Sequence, residues 1–255
     1  MFLVLDVGNT NITFGLYDGE NFIKTFRLET NKNFTTEEYA EKISSLLSEY
    51  PIKFCIIGSV VDELNDVLKR ACDSIWNINS LIFDNTLKTG VILDVSEPHK
   101  VGADRIANAY ASYKLYPQPS IVIDSGSATT FDIISADGKF FGGIIMPGIS
   151  MQLNSLCEKT SKLPKIEIEE IDNTIGTDTR SCILSGVIRG HVCAIEGLIE
   201  QCEKELGQKA TIVLTGGISP LILKYLNRKV DYVNENLTIE GFKLLYKLNS
   251  KCNEM

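Results

Sequence analysis

Two similar short turns constrain the fold of this 255-residue chain more than any other feature. Asp6-Val7-Gly8-Asn9-Thr10 and Asp124-Ser125-Gly126-Ser127-Ala128-Thr129 each follow an apolar strand and precede a second one, 118 residues apart. A pattern that returns after about half the chain indicates two similar halves. Pro117-Gln118-Pro119 interrupts the pattern between them, which predicts an N-terminal half over 1–116 and a C-terminal half over 117–255. Facing one another, two such halves would place the turns on opposite sides of a central cleft.

Strand and helix patterns alternate along both halves, which predicts an α/β fold. Each turn joins two strands into a hairpin, for which Leu3–Val7 and Ile12–Leu16 are the first example. Thr35-x-x-Glu38 has the form of a capping box that opens a helix. Further patterns predict a helix over Val101–Leu115, a long helix over Thr179–Leu206 and a buried strand over Thr211–Thr215.

Composition and charge exclude several classes of protein. Hydrophobic residues make up 44% of the chain and charged residues 23%, which is ordinary for a globular protein. The formal net charge of −8 argues against nucleic acid or an anionic membrane as a partner. The seven cysteines form no Cys-x-x-Cys pair, so we expect reduced thiols and neither disulfides nor a zinc site. Without a secretory signal pattern or an uninterrupted apolar run long enough to span a bilayer, the chain is expected to be cytoplasmic.

The two turns have the chemistry of an anion site. Gly8 and Gly126 lack a Cβ, so a phosphate can approach the backbone N–H groups closely. The neighbouring side chains that can donate hydrogen bonds are Asn9, Thr10 and Ser127. Asp6 and Asp124 would repel a phosphate, and their natural role is to hold a cation beside it. One copy of such a turn would more often be an ordinary hairpin, but two matching copies favour the functional interpretation.

Other nucleotide-binding and catalytic patterns are missing from the sequence. It contains neither a Walker A pattern nor a Gly-x-Gly-x-x-Gly turn after a strand. His99 and His191 are the two histidines, and His191 lies within the long helical pattern, where a packed or surface position is expected. A serine hydrolase with a catalytic histidine is therefore unsupported.

Gly102-Ala103-Asp104-Arg105 is a third candidate site, at a predicted helix start where backbone donors favour anions. Arg105 can bind a carboxylate or phosphate in a bidentate manner, and Asp104 could accept a hydroxyl proton as a general base. A helix-capping Asp beside a surface Arg is an equally good interpretation. Gly216-Gly217 after the strand at Thr211–Thr215 could admit an adenine or ribose, although such a pair is usually a tight connection.

Together these motifs resemble the type III pantothenate kinase family, also known through the Bvg accessory factors. The matching stretches are the two turns, Gly102–Arg105, Gly142-Gly-Ile-Ile-Met-Pro-Gly148 and Thr215-Gly216-Gly217. The resemblance implies an actin-like or sugar-kinase-like fold of two ribonuclease-H-like halves around a central nucleotide cleft, and a homodimer. The implied activity is ATP-dependent phosphorylation of pantothenate to 4'-phosphopantothenate, the first step of coenzyme A biosynthesis.

The resemblance also implies a role for individual residues. Asp104 resembles the general base. ATP with magnesium (Mg2+) would bind the first loop, formed by Asp6, Val7, Gly8, Asn9, Thr10, Asn11, Ile12 and Thr13, and Ser127 of the second loop. Asp6 would hold the magnesium ion and Asp124 a monovalent cation, K+ or NH4+. The implied pantothenate contacts are Val95, Gly102, Ala103, Asp104, Arg105 and Thr179.

Three positions depart from the family pattern. Val95 stands where the family usually has Tyr, and Ser125 and Ser127 stand where it usually has Cys and Thr. Three other functions stay open at this point: a non-catalytic regulatory or accessory homologue that keeps the nucleotide cleft, a phosphoanhydride hydrolase on the same fold, and a filament-forming actin relative.

Overall fold

The computed structural model describes residues 1–84, 86–158 and 166–250, without the side chains of 157 and 158. Contacts divide it into two compact units. The first contains Met1–Ile92, Ser96–Ala111 and the segment that begins at Leu237, and the second contains Leu93–Val95 and Ser112–Asn236. The C-terminal segment therefore belongs by contacts to the first unit, whereas the sequence pattern assigned it to the second half. A division of the halves near residue 116 otherwise stays a prediction.

The first unit is built on a five-stranded sheet. Its strands are β1 (Phe2–Val7), β2 (Asn11–Asp18), β3 (Asn21–Glu29), β4 (Phe54–Ser59) and β5 (Leu81–Ile82). They lie in the order β3-β2-β1-β4-β5, in which β1, β2 and β3 are antiparallel neighbours and β1, β4 and β5 run parallel. The predicted hairpin is confirmed by the pairing of β1 with β2.

Four helices accompany this sheet: α1 (Thr36–Leu47), α2 (Asn65–Trp76), α3 (Ala103–Leu115) and α7 (Leu237–Asn249). The capping box at Thr35 and Glu38 is confirmed, with both of its hydrogen bonds present. Apolar side chains of α1 and α2 pack on one face of the sheet with Leu3, Leu5 and Val7 of β1. This face forms the main apolar core of the unit.

Helix α7 packs closely because glycines leave room for it. A Cβ on Gly58 would lie 1.9 Å from the Phe242 ring, and one on Gly15 would lie 2.1 Å from Ile239. Gly241 itself meets the backbone of α3 at Ala107. Helix α7 therefore connects the sheet to the helix that carries Asp104.

The second unit repeats the same strand order. Its strands are β6 (Ile92–Leu93), β7 (Ser120–Ser125), β8 (Ala128–Ile134), β9 (Lys139–Pro147), β10 (Thr211–Thr215) and β11 (Tyr232–Val233). They lie in the order β11-β10-β7-β8-β9-β6. Strands β7, β8 and β9 are antiparallel neighbours, and β10 and β11 run parallel to β7. Apart from β6, this is the order of the first unit, so both halves have the ribonuclease-H-like arrangement that was predicted.

Helices α4 (Ile149–Glu158), α5 (Thr179–Leu206) and α6 (Ser219–Leu223) belong to the second unit. Helix α5 has the bounds that its pattern predicted. It is long and apolar enough by length and composition to cross a membrane, although charged residues interrupt its apolar runs. Its apolar side chains, including Ile188, Ile195 and Ile199, are buried in the core beside β7 and β10, which is the packing of a core helix.

Candidate functional site

The first loop is a tight turn at the carboxyl end of β1. The Gly8 N–H donates to the Asn11 carbonyl at 3.0 Å, which closes the turn. Directly after β3, the Thr30 hydroxyl donates to the Gly8 carbonyl at 2.7 Å, and the Thr30 N–H donates to the Thr10 carbonyl at 3.0 Å. Asn9, Thr10 and Asn11 are exposed, so the loop offers their polar groups to a ligand. The sequence did not predict that Thr30 holds this loop, because no local pattern connects Gly8 with a residue 22 positions away.

The residues predicted to bind ATP in this loop fall into two classes. Val7 and Ile12 are fully buried in the apolar core, so only their backbone groups are available to a ligand. Asp6 and Thr13 are directly paired across β1 and β2 and are partly buried. Because side chains alternate along a strand, these two lie on the sheet face opposite Val7 and Ile12. Asp6 is therefore the acidic side chain that this loop presents.

Asp104 lies in the first turn of α3, as predicted. The Arg105 N–H donates to its Oδ1 at 2.8 Å, and the Ile106 N–H donates to the Gly102 carbonyl at 3.1 Å. A Cβ at Gly102 would lie 2.5 Å from Asp104 Oδ1. The Asp104 carboxylate can therefore occupy its position only because residue 102 is glycine. Burial raises the pKa of the Asp104 carboxyl, although the Arg105 N–H and charge act to lower it. A raised pKa strengthens a carboxylate as a proton acceptor.

Val60 connects Asp104 to the first loop. Its N–H donates to the Val7 carbonyl at 3.0 Å, which extends the pairing of β4 with β1 by one residue. Its Cγ1 would lie 3.5 Å from a Cβ at Gly102. The first unit thus brings Gly102–Arg105 and the loop after β1 to the same edge of its sheet.

The second loop has the same form at the carboxyl end of β7. The Gly126 N–H donates to the Ala128 carbonyl at 3.0 Å, and Ser127 is exposed at the tip. Gly148, which follows β9, contacts this loop: its N–H donates a hydrogen bond to the Ser127 carbonyl at 3.1 Å. A Cβ at Gly148 would lie 2.3 Å from the same carbonyl oxygen, so the support requires glycine.

The two glycines after β10 have different roles. Gly216 has a φ of +90°, and a Cβ there would lie 2.5 Å from Asp124 Oδ1, so it allows β10 to approach the Asp124 carboxylate. Gly217 lines a cavity of about 380 Å³ together with Ile168, Ile218, Pro220, Leu221 and three charged residues. The predicted place for an adenine or ribose is therefore a cavity wall at Gly217, whereas Gly216 has a packing role.

The donor set fits cations held largely by phosphate oxygens. Among the described residues, no group of three or more His, Cys, Asp or Glu side chains is placed to hold a metal ion. Mg²⁺ characteristically takes one or two carboxylates and completes its shell with substrate phosphates and water, which suits Asp6. Thr215 pairs in register with Asp124, and within the described chain its buried hydroxyl oxygen finds no hydrogen-bond partner. An oxygen without a partner beside a carboxylate suits a monovalent cation at Asp124.

Two predicted substrate residues lie in the second unit. Val95 is half-buried, and its Cγ1 would lie 3.5 Å from a Cβ on Gly142 of β9. Thr179 is exposed as the first residue of α5, directly after the N-cap Asp178, whose carboxylate accepts the Ser181 N–H. Gly102, Ala103, Asp104 and Arg105 all belong to the first unit.

Comparisons with known proteins give consistent matches to one family. The type III pantothenate kinase family model matches residues 2–201. A type III pantothenate kinase from an Exiguobacterium species is 36% identical over 98% of this chain and 100% of its own length. One from Geobacillus kaustophilus is 38% identical over 98% of this chain and 99% of its own length.

Solved structures show the same fold at lower identity. A protein described as a conserved putative Baf family transcriptional activator from Campylobacter jejuni superposes with a TM-score of 0.60 at 21% identity, covering 96% of this chain and 97% of its own. A putative 2-dehydro-3-deoxygalactonokinase from Sinorhizobium meliloti has a TM-score of 0.59 at 10% identity, covering 100% and 99%. These likenesses concern the fold alone. The matched family model and the near full-length relatives show that this chain belongs to the type III pantothenate kinase family.

Proposed function

We propose that this chain catalyses ATP-dependent phosphorylation of pantothenate to 4'-phosphopantothenate. The observation that carries the assignment of roles is the position of Asp104. It is partly buried at the first turn of α3, its pKa is raised by burial, and Val60 links its segment to the loop that follows β1. A proton acceptor beside a phosphate loop is what phosphoryl transfer to an alcohol requires.

In this proposal Asp104 accepts the proton of the primary hydroxyl of pantothenate. The hydroxyl oxygen then forms a bond to the γ-phosphorus of ATP, and the bond from that phosphorus to the leaving oxygen of ADP breaks. The first loop and Ser127 donate hydrogen bonds to the phosphates, and Arg105 binds the pantothenate carboxylate. Mg²⁺ at Asp6 and K⁺ or NH₄⁺ at Asp124 would supply positive charge to the phosphates. Catalysis of this kind consists mainly of positioning and electrostatic stabilisation.

The remaining contacts are part of the same proposal. Val95, Gly102, Ala103 and Thr179 are the further proposed contacts of pantothenate, and the cavity at Gly217 is the proposed place of the adenosine part of ATP. The protein acts as a homodimer in the cytoplasm and needs no nucleic acid or membrane. The accessory-protein alternative is not favoured, because the near full-length relatives carry the name of the kinase.

A coupled assay of ADP release tests the kinase assignment. We expect ADP release that depends on pantothenate, that is higher in potassium than in sodium, and that is accompanied by stoichiometric phosphopantothenate. Asp104→Asn should lower kcat by about 10²-fold or more while ATP binding is retained. Phosphate release from ATP at the same rate without pantothenate would instead identify a hydrolase, and light scattering that rises with ATP would identify a filament former.

A further inference from the structure

His191 makes two polar contacts in the middle of α5, where the sequence indicated only a packed or surface residue. The side chain is 2% exposed. Its Nε2 lies 3.0 Å from the Thr129 hydroxyl of β8, and its Nδ1 lies 2.8 Å from the Gln152 side-chain nitrogen of α4. Both ring nitrogens are therefore used, and each reaches a different element.

The partners of Gln152 determine which nitrogen of the ring carries the proton. The amide nitrogen of Gln152 also donates to the Pro147 carbonyl at 2.8 Å. A carbonyl only accepts, so the Gln152 atom that faces Pro147 and His191 is the nitrogen, and Nδ1 must accept from it. The neutral ring then carries its proton on Nε2 and donates to the Thr129 hydroxyl. Burial lowers the pKa of His191, which agrees with a neutral ring.

The two ends of this network lie on either side of Ser127. Thr129 is paired with Ser125 across the loop between β7 and β8. On the other side, Pro147 is paired with Ala128, and the following Gly148 N–H donates to the Ser127 carbonyl. His191 holds the first strand end directly and the second through Gln152. His191 thus fixes the distance between the start of β8 at Thr129 and the end of β9 at Pro147, and these two segments hold the backbone of Ser127.

We infer that His191 is a positioning residue for the second phosphate loop, acting on Ser127 through Thr129 and through Gln152 and Pro147. The inference rests on the proposed contact between Ser127 and ATP. A loop held in place binds phosphate without a cost for ordering its donors, so the effect of His191 should fall on ATP and not on pantothenate. A side chain that only stabilised the core would affect neither substrate selectively.

The experiment compares substitutions at both ends of the first contact. His191→Phe keeps a ring and removes both polar contacts, Thr129→Val removes the hydroxyl with little change of shape, and His191→Gln keeps a donor near the Nε2 position. We expect His191→Phe and Thr129→Val each to raise the KM for ATP about tenfold, the loss typical of one buried hydrogen bond. The KM for pantothenate should stay unchanged, His191→Gln should lie between the wild type and His191→Phe, and the double variant should be no worse than His191→Phe.

Val192→Ala is the matched control, because Val192 is the next residue of α5 and is also 2% exposed. It should lower the melting temperature but leave the ratio of the two KM values unchanged. The inference is overturned if His191→Phe and Thr129→Val leave that ratio at the wild-type value, or if their effects add fully. Should the wild type bind ATP without phosphorylating pantothenate, the kinase proposal fails alone, and the Kd for ATP replaces KM in the same comparison. A wild type that binds no ATP overturns both.

Discussion

Gly241 in α7 lies so close to Ala107 in α3 that a Cβ at Gly241 would be 2.2 Å from the Ala107 carbonyl oxygen. On the same contact surface, three residues earlier in α7 and one residue later in α3, the Thr238 hydroxyl donates to the Asn108 side-chain oxygen at 2.8 Å. Helix α3 begins beside Asp104, so the C-terminal helix contributes to the position of the proposed base.

Gly241→Ala should therefore reduce both stability and activity. The added methyl group forces α7 and α3 apart, which costs about 1–3 kcal/mol of unfolding free energy and several degrees of melting temperature. The shift of α3 should lower kcat more than it changes the KM for ATP. Thermal unfolding and steady-state kinetics measure the two effects.

Gly186→Ala in α5 is the matched control for this substitution. A Cβ there has nothing within 4 Å, so the same change of residue should be neutral or stabilising by up to about 1 kcal/mol. If both alanine variants unfold at the wild-type temperature, the close contact between Gly241 and Ala107 is not tight in solution.

Gly148→Ala tests the support of the second loop. Its Cβ would lie 2.3 Å from the Ser127 carbonyl oxygen and 2.6 Å from that of Gly126, so the loop has to move. We expect the KM for ATP to rise about tenfold or more, because the donors of the loop are displaced. Gly190→Ala, with open space around the added Cβ, serves as the comparison. An unchanged KM for ATP in Gly148→Ala would argue that Ser127 does not contact the nucleotide.

The repeated strand-turn-strand pattern was sufficient to predict the hairpins of the two sheets, since the longer strands are either continuous apolar runs, such as β1, β7 and β10, or alternating ones. The bounds of α5 were predicted for a similar reason, because 28 residues of helical periodicity leave little ambiguity. The two-residue strands β6 and β11 were not predicted, since two residues contain no period. The association of α7 with the first unit also escaped prediction, because it depends on contacts between residues more than 100 positions apart, such as Thr238 and Asn108.

Within the candidate site, the motifs located the two loops and the helix start but did not distinguish side-chain from backbone groups. Val7 continues the alternation of Leu3 and Leu5 into the core, and this signal could have shown that only its backbone faces a ligand. The role inferred for His191 had no such signal, since its partners lie 39 and 62 residues away.

The raised pKa of Asp104 predicts that the proposed base costs stability. Because its folded pKa lies above the unfolded value, the wild type loses stability relative to an uncharged residue as pH rises through the folded pKa. Asp104→Asn keeps an oxygen to accept the Arg105 N–H and does not titrate. Its melting temperature should therefore equal that of the wild type below about pH 4 and exceed it near pH 8.

Asp104→Asn should have little or no turnover at any pH. The kcat of the wild type should fall as the pH falls through the raised pKa of Asp104. Thermal unfolding across this pH range, with kinetics on the same samples, measures both effects. A melting temperature below that of the wild type at pH 8 would show that the charged carboxylate is stabilised by its surroundings, and would contradict the direction of the shift.

Asp6 and Asp124 occupy equivalent strand ends, but their surroundings predict different cations. Asp6 is paired with Thr13 beside the exposed donors of the first loop, where a divalent ion can share phosphate oxygens. Asp124 lies close to Gly216 and pairs in register with Thr215 of the neighbouring strand. Asp6→Asn should therefore raise the Mg²⁺ concentration for half-maximal activity about tenfold or more and keep the preference for potassium over sodium. Asp124→Asn should remove that preference and leave the Mg²⁺ requirement nearly unchanged. Titration of each cation at a fixed saturating level of the other separates the two effects, and equal responses of both variants to both cations would show that the two aspartates do not hold different cations.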